Sequence, residues 1–313
     1  MSKTSHPVRD LFEQSKENPD AIDLDEVVEY LDHEDWGQAR EWALQTITHV
    51  SAADPDRLET VIDDVRPHLE DEFLVAQNTA ALLFARQARH DPEPVRKSVP
   101  ELLALLDQDP PILRFRAAGA LAPLLADYVD VFVPHTDRLV EVLVDSPTVT
   151  LVPEDEALED VEAETVEMLQ ELANDREEQY ERDRKRSQGV REFAANAIVE
   201  VAEIEPKRVA PHVRVLATTI NDDRPIVRTA LLDTMAIIAQ DDPEAVQPAI
   251  PAIRERLNDE VDYVRAHAVR ALGYAEATEA IEDLRELAGQ NVDENLSGLA
   301  ADTADWLADC LEA

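Results

Sequence analysis

Apolar positions along the chain follow a helical period nested inside a longer repeat. Six short strings resemble one another, centred on Arg40, Gln77, Arg114, Arg191, Arg228 and Arg265. The first three anchors are 37 residues apart, and so are the last three. Three residues after each anchor stand Ala43, Ala80, Ala117, Ala194, Leu231 and Ala268; seven after stand Ile47, Phe84, Leu121, Ile198, Met235 and Leu272. Positions at +3, +4 and +7 make one apolar stripe on a helix. A second amphipathic segment precedes the anchor, as in Pro94–Leu106, Val209–Ile220 and Ala245–Leu257. Asp-Pro pairs at Asp54-Pro55, Asp91-Pro92 and Asp242-Pro243 mark where these first helices begin, because Asp caps a helix and Pro is tolerated in its first turn. The pattern predicts helix pairs, each a helix A followed by a helix B, stacked in register. Val8–Lys16 and Leu24–Leu31 are expected to cap one end.

An acid falls six residues before several anchors, as Asp71, Asp222 and Asp259, with Glu34 as a variant, and Asp145 falls six before position 151, where a fourth anchor would stand at a spacing of 37. Helix A, the turn acid and a Val-Arg opening of helix B together resemble HEAT repeats, over roughly residues 20–145 and 188–310. The resemblance implies an all-α chain, an α-solenoid wound as a right-handed superhelix of about seven HEAT-type helix pairs. It also implies a structural ladder in which the turn acids Asp71, Asp145, Asp222 and Asp259 stack with Arg40, Arg114, Arg191, Arg228 and Arg265, while Gln77 weakens one rung. The last unit is shorter: Leu296 aligns with Val264, with Ala300 and Trp306 expected on its inner face. That shorter form resembles the phycobilin-lyase-type HEAT-like repeat, and terminal units are expected to be atypical because they close the stack.

The fourth anchor comes 40 residues late. Helix A of the fourth unit, Val131–Val144, is expected to be intact, with a charged insertion over 146–188 before its helix B. The domain reading is therefore 1–145 for the caps, repeats 1–3 and helix A of repeat 4; 146–188 for the insertion; and 189–313 for the remainder of one continuous solenoid. Within the insertion, Ser146–Pro153 reads as an extended linker and Glu154–Leu172 as a helix. Asn174–Gln188 concentrates Arg176, Arg182, Arg184, Lys185 and Arg186. Two readings stay open: a solvated helix whose acid and base halves pair with each other, or a projecting arm that docks a partner.

Charge sharpens this picture. There are 69 acidic against 29 basic residues, a net charge of −40, and the acid excess reads as spread along every segment. Acid enrichment with few lysines resembles proteins of extremely halophilic archaea, in which a uniform negative surface keeps a protein soluble in concentrated salt. No basic stripe points to nucleic acid, so a nucleic-acid partner is not expected. One cysteine, Cys310, precludes an intrachain disulfide. No apolar run suits membrane insertion, and a cytoplasmic location is expected.

Catalytic signatures do not emerge. The eight histidines form neither HExxH nor a zinc spacing. His33-Glu34 is the single His-Glu pair, too few for the di-iron site of the HEAT-built deoxyhypusine hydroxylase. No cofactor is implied. A solenoid lines its concave face with B helices, and residues five after each anchor (Gln45, Leu82, Gly119, Asn196, Asp233 and Arg270) should point away from helix A. These positions, with Arg86 and Arg116 and the insertion's Arg182, Arg184, Lys185 and Arg186, are the candidate partner-binding residues. The expectation is a non-enzymatic scaffold for a protein partner. Two alternatives remain: a bilin-lyase-like HEAT enzyme or enzyme-associated subunit, and a nucleic-acid-associated subunit.

Overall fold

In a computed structural model, the described residues are 6–32, 37–145, 163–290 and 292–312. Among them the chain is all helical, with no strand. Glu34, Trp36, the proposed linker Ser146–Pro153 and the first part of Glu154–Leu172 lie outside these residues. The longer helices are α1 (Pro7–Glu17), α2 (Gly37–Ala53), α3 (Leu74–His90), α4 (Pro111–Leu121), α5 (Thr136–Asp145) and α6 (Ala163–Ile204). They continue as α7 (Val213–Thr219), α8 (Pro225–Asp241), α9 (Ile250–Glu255), α10 (Asp262–Tyr274), α11 (Ile281–Gly289) and α12 (Glu294–Glu312).

The chain divides into two compact units, Met1–Ala126 with Pro147–Val190, and Asp127–Ser146 with Arg191–Ala313. In the first, α2 packs on α1 and α3, and α3 on α4. In the second, α7 packs on α5 and α8, α8 on α10, and α10 and α11 on α12. The helices α2, α3, α4, α8 and α10 each begin three residues before an anchor. All twelve side chains at +3 and +7 are buried, so this stripe is the core of each stack. Small Ala at +3 lets neighbouring helix axes approach closely, and the larger residue at +7 fills the space one turn on.

Two features depart from the pattern read in the sequence. The A segments are not single helices. Residues 206–219 form Pro206–Val209, a 3₁₀ turn Ala210–His212, and then α7; residues 243–258 break in the same way. Prolines at 67, 100, 211, 248 and 251 explain the breaks, because each lacks an N–H and its ring clashes with the carbonyl four residues back. These two repeats thus consist of two short helices joined by a 3₁₀ turn, followed by a long B helix. The insertion also behaves differently: its described part, 163–188, runs without interruption into the fourth B helix as α6, 42 residues long. At 1.5 Å per residue this is about 63 Å of helix.

The ladder follows a rule visible only in three dimensions: an anchor Arg reaches the acid 31 residues ahead, in the turn of the next repeat. Arg40 Nη1 donates to Asp71 Oδ2 at 2.6 Å, Arg191 Nε to Asp222 Oδ2 at 2.8 Å, and Arg228 Nη2 to Asp259 Oδ1 at 2.7 Å. Each acid also caps its own turn, accepting from the backbone N–H of Phe73, Arg224 or Val261. Burial alone would push the Asp71 carboxyl up. Hydrogen bonds from the Phe73 N–H, Arg40 and His68, with the Arg40 charge, outweigh this and hold it below its ordinary value.

Three expected rungs are corrected. Arg265 would need an acid at position 296, which is Leu296, and pairs instead with Asp262 in its own helix. Asp145 is the last residue of α5 rather than a turn residue; it is exposed and has no partner among the described residues. Arg114, only 3% exposed, has Asp109 at 3.7 Å as its nearest carboxylate, and its Nε and Nη1 lack partners among the described residues. Gln77 keeps the within-repeat half of the anchor's work, donating to the Leu69 carbonyl at 3.0 Å.

The C-terminus of α10 carries one strained residue. Glu276 has φ 50°, and the Ala277 N–H donates to Leu272 O while the Glu276 N–H donates to Gly273 O. This is a Schellman cap, which glycine fills without a Cβ penalty.

Candidate binding face on the B helices

The residues five after each anchor fall away from the core. Gln45, Leu82, Gly119 and Asp233 are half-buried, and Asn196 and Arg270 are exposed. Gln45 donates to Glu41 on its own helix at 3.0 Å. Asp233 accepts from His267 Nδ1, tying α8 to α10.

In the first unit, Arg86 Nη1 on α3 donates to the Thr48 carbonyl on α2 at 2.6 Å and to Ser51 Oγ at 3.2 Å. Arg116 Nη1 on α4 donates to the Asn78 carbonyl on α3 at 2.8 Å. Each side chain thus ties its helix to the one before. A guanidinium has five N–H donors, and these bonds use only Nη1. Neither Arg86 nor Arg116 has a carboxylate partner among the described residues. Burial, then the nearby Arg89 charge, pushes the Arg86 pKa down; burial, then Arg186 and Arg86, does the same to Arg116. Between them lies Gly119, where an added Cβ would meet only Ala85 Cβ, at 3.9 Å. The Phe115 ring, 44% exposed, lies over Gly189 of α6, where a Cβ would stand 3.1 Å from it.

This face also corrects the reading of charge. The acid excess is not spread evenly: α3 and α4, of 17 and 11 residues, contain no Asp or Glu at all, although 69 of 313 residues are acidic. In the second unit the position matching Arg116, two after the anchor, is His267, which meets Asp233.

The cations of the former insertion are spread along α6. Arg182, Arg184 and Lys185 are exposed, and Arg186 is half-buried. Arg182 pairs with Glu178 at 3.4 Å, Arg184 with Glu181 at 3.5 Å and Arg186 with Asp183 at 2.8 Å, all within one helix.

A groove in the second unit went unseen in the sequence. Arg270, Tyr274, Leu299, Asp302, Thr303 and Trp306 line it between α10 and α12. Trp306 is 47% exposed here, not on the inner face as expected, while Ala300 is buried. Arg270 and Tyr274 stand five and nine residues after the anchor, one turn apart on the outer row. Following that row one turn further along the sequence would have shown the groove.

Acid–base chemistry finds little to work with. Ser15 Oγ lies 2.8 Å from His49 Nδ1, but the hydroxyl is buried and donates to the Phe12 carbonyl, which makes it a packing contact rather than a nucleophile. Burial, then Lys16 and Arg86, pushes the His49 pKa down. Among the described residues no three His, Cys, Asp or Glu side chains converge as a metal site requires. None of the described helices is long and apolar enough to cross a membrane.

No protein-family model matches the chain, and no curated protein does. Solved structures do. An engineered protein aligns with a TM-score of 0.61 at 19% identity, over 96% of this chain and 74% of its own. A computationally designed armadillo repeat protein for modular peptide recognition gives 0.55 at 17% identity, over 80% of this chain and 99% of its own. The archaeal HEAT-like repeats protein from Thermococcus onnurineus NA1 gives 0.51 at 11% identity, over 92% and 98%. The fold is an armadillo/HEAT-type solenoid. At these identities the likeness concerns the fold alone.

Proposed function

We propose that this chain is a non-catalytic scaffold that binds a segment of another protein along the outer face of its B helices, in a concentrated-salt cytoplasm. The observation that supports the reading is the division of labour within each B helix. Positions +3 and +7 are uniformly apolar and buried, whereas +5 varies from Gln45 and Leu82 to Gly119, Asn196, Asp233 and Arg270 and stays accessible. A face held rigid from behind and varied in front suits recognition, because preorganised side chains lose little entropy on binding. Designed armadillo repeats made for modular peptide recognition share this fold, which adds to the reading. The pairing of Arg182 and Arg184 with Glu178 and Glu181 of their own helix favours the solvated reading of that stretch over a docking arm. A partner captured in 2 M KCl should be cross-linked to α3, α4, α8 or α10. Stoichiometric iron in the purified protein, or cross-links confined to the A segments, would overturn the scaffold reading.

A further inference from the structure

Arg86 stands nine residues after its anchor, Arg116 two after, and Arg186 five before. These offsets differ by seven residues, two helical turns, so the three side chains occupy the same face of α3, α4 and α6. The bonds from Arg86 to Thr48 O and from Arg116 to Asn78 O show that α2, α3 and α4 run level, since each joins positions one residue apart in offset, and Phe115 over Gly189 sets α6 against α4. The arginines therefore form an oblique row, stepping roughly 10 Å along the helices and roughly 9 Å across them at each stage. Arg186 belongs to the row only because α6 extends before its anchor, which gives the described part of the insertion a role.

Two observations make this row unusual. Its first two members have no carboxylate partner among the described residues, in a chain whose arginines are otherwise mostly paired. The helices that carry them hold no acid. A cation held by a backbone carbonyl, with its remaining N–H groups unused, is a preorganised donor fork for an oxyanion. Steps of roughly 13 Å match acidic side chains about four residues apart on an extended chain rising about 3.3 Å per residue. Gly119 leaves the floor between Arg86 and Arg116 open enough for a backbone to lie across it.

We infer that Arg86, Arg116 and Arg186 bind an extended acidic segment of a partner protein, laid obliquely across α3, α4 and the part of α6 before Arg191. This rests on the scaffold reading and names the chemistry of its partner. It carries an unusual signature. A net charge of −40 repels an acidic peptide at long range, while the arginine contacts act at short range. Raising the salt shortens the Debye length from about 8 Å to about 3 Å, so it removes the repulsion first. Binding should tighten as salt rises before it levels off.

The test is fluorescence anisotropy of a labelled (Glu-Gly-Ser-Gly)₃ peptide with the full chain, titrated in 0.15–3 M KCl, beside the Gln and Lys versions of the same peptide. The Glu peptide is expected to bind at least tenfold more tightly than the Gln peptide and more tightly at 1 M than at 0.15 M. The double variant R86Q/R116Q should lose that tenfold preference. Because those side chains also tie helices together, Gly119→Glu provides an independent check: it places an acid on the open floor and should abolish the preference with the helical circular dichroism unchanged. A preference that survives Gly119→Glu, or a Gln or Lys peptide that binds as well as the Glu one, would overturn the acidic partner and leave the scaffold reading standing. If no peptide of any charge class binds a folded chain across the salt range, both fall.

Discussion

Replacing Arg228 by Ala should separate a true rung of the ladder from a position that only looks like one. Arg228 is 5% exposed and donates to Asp259, itself 6% exposed, at 2.7 Å, and to the carbonyls of Asp222 and Asp223 at 2.9 and 3.3 Å. Removing one partner of a buried pair costs about 3–5 kcal/mol, because the remaining charge stays desolvated. Arg256 Nη1, 3.5 Å from Asp259, softens the loss, so a value near 3 kcal/mol is expected. For a chain of this size that lowers Tm by roughly 6 °C. Arg265→Ala removes the same residue type from the same register. It breaks only a pair with Asp262, which is exposed, together with some packing of its stem, about 1 kcal/mol at most. Thermal and urea unfolding followed by circular dichroism, in one high-salt buffer, compares the two. Equal losses, or a loss below 1 kcal/mol in Arg228→Ala, would refute the claim that the pairs made by Arg40, Arg191 and Arg228 with the acid 31 residues ahead hold the stack together.

Other consequences follow from the same geometry. The Asp71 carboxyl is held below its ordinary pKa when folded, so its contribution to stability is present above the ordinary carboxylate range, about pH 4, and is lost as the pH falls through the lowered value. The difference in Tm between the native chain and Asp71→Asn should therefore shrink as the pH drops from 6 to 3; a constant difference contradicts the pairing. Glu276→Gly should stabilise the chain by about 0.5–1 kcal/mol, because glycine adopts a positive φ without strain, and a loss in urea unfolding would sink that account of the α10 cap. With 40 uncompensated negative charges, the chain should gain helicity and Tm as KCl rises from 0.1 to 2 M. A Tm that stays flat over this range would speak against self-repulsion as a limit on stability.

Much of the fold was legible because a repeat states its period six times. The anchors at 40, 77 and 114 and at 191, 228 and 265 located the B helices, and the residues at +3 and +7 located the core. What escaped depended on information between repeats. The acid that Arg40, Arg191 and Arg228 each reach lies 31 residues ahead, and nothing in a single repeat states that distance. The breaks in the A segments were written in Pro67, Pro211 and Pro248, whose backbone effect outweighs an amphipathic pattern. The continuity of α6 was hidden because its charged half resembles an insertion, although charged residues at i,i+3 and i,i+4 also support a long helix. The candidate face was partly visible: Arg86 and Arg116 stood out, but net charge averaged over the chain concealed two helices without an acid. Counting acids helix by helix would have revealed them. Trp306 was misplaced because a large aromatic in a terminal unit suggests a cap, whereas here it walls an open groove beside Tyr274.

The claim on which the account turns is that the chain presents its B-helix outer face, above all α3 and α4, to another polypeptide. The most direct measurement is photo-cross-linking in 2 M KCl of the full chain with a (Glu-Gly-Ser-Gly)₃ peptide carrying a central benzophenone, followed by mass-spectrometric mapping. The account predicts adducts concentrated on Asn78, Leu82, Phe115 and their neighbours on α3 and α4, and lost in Gly119→Glu. Adducts confined to the A segments 56–70 and 93–104, or spread without preference over the chain, would contradict it.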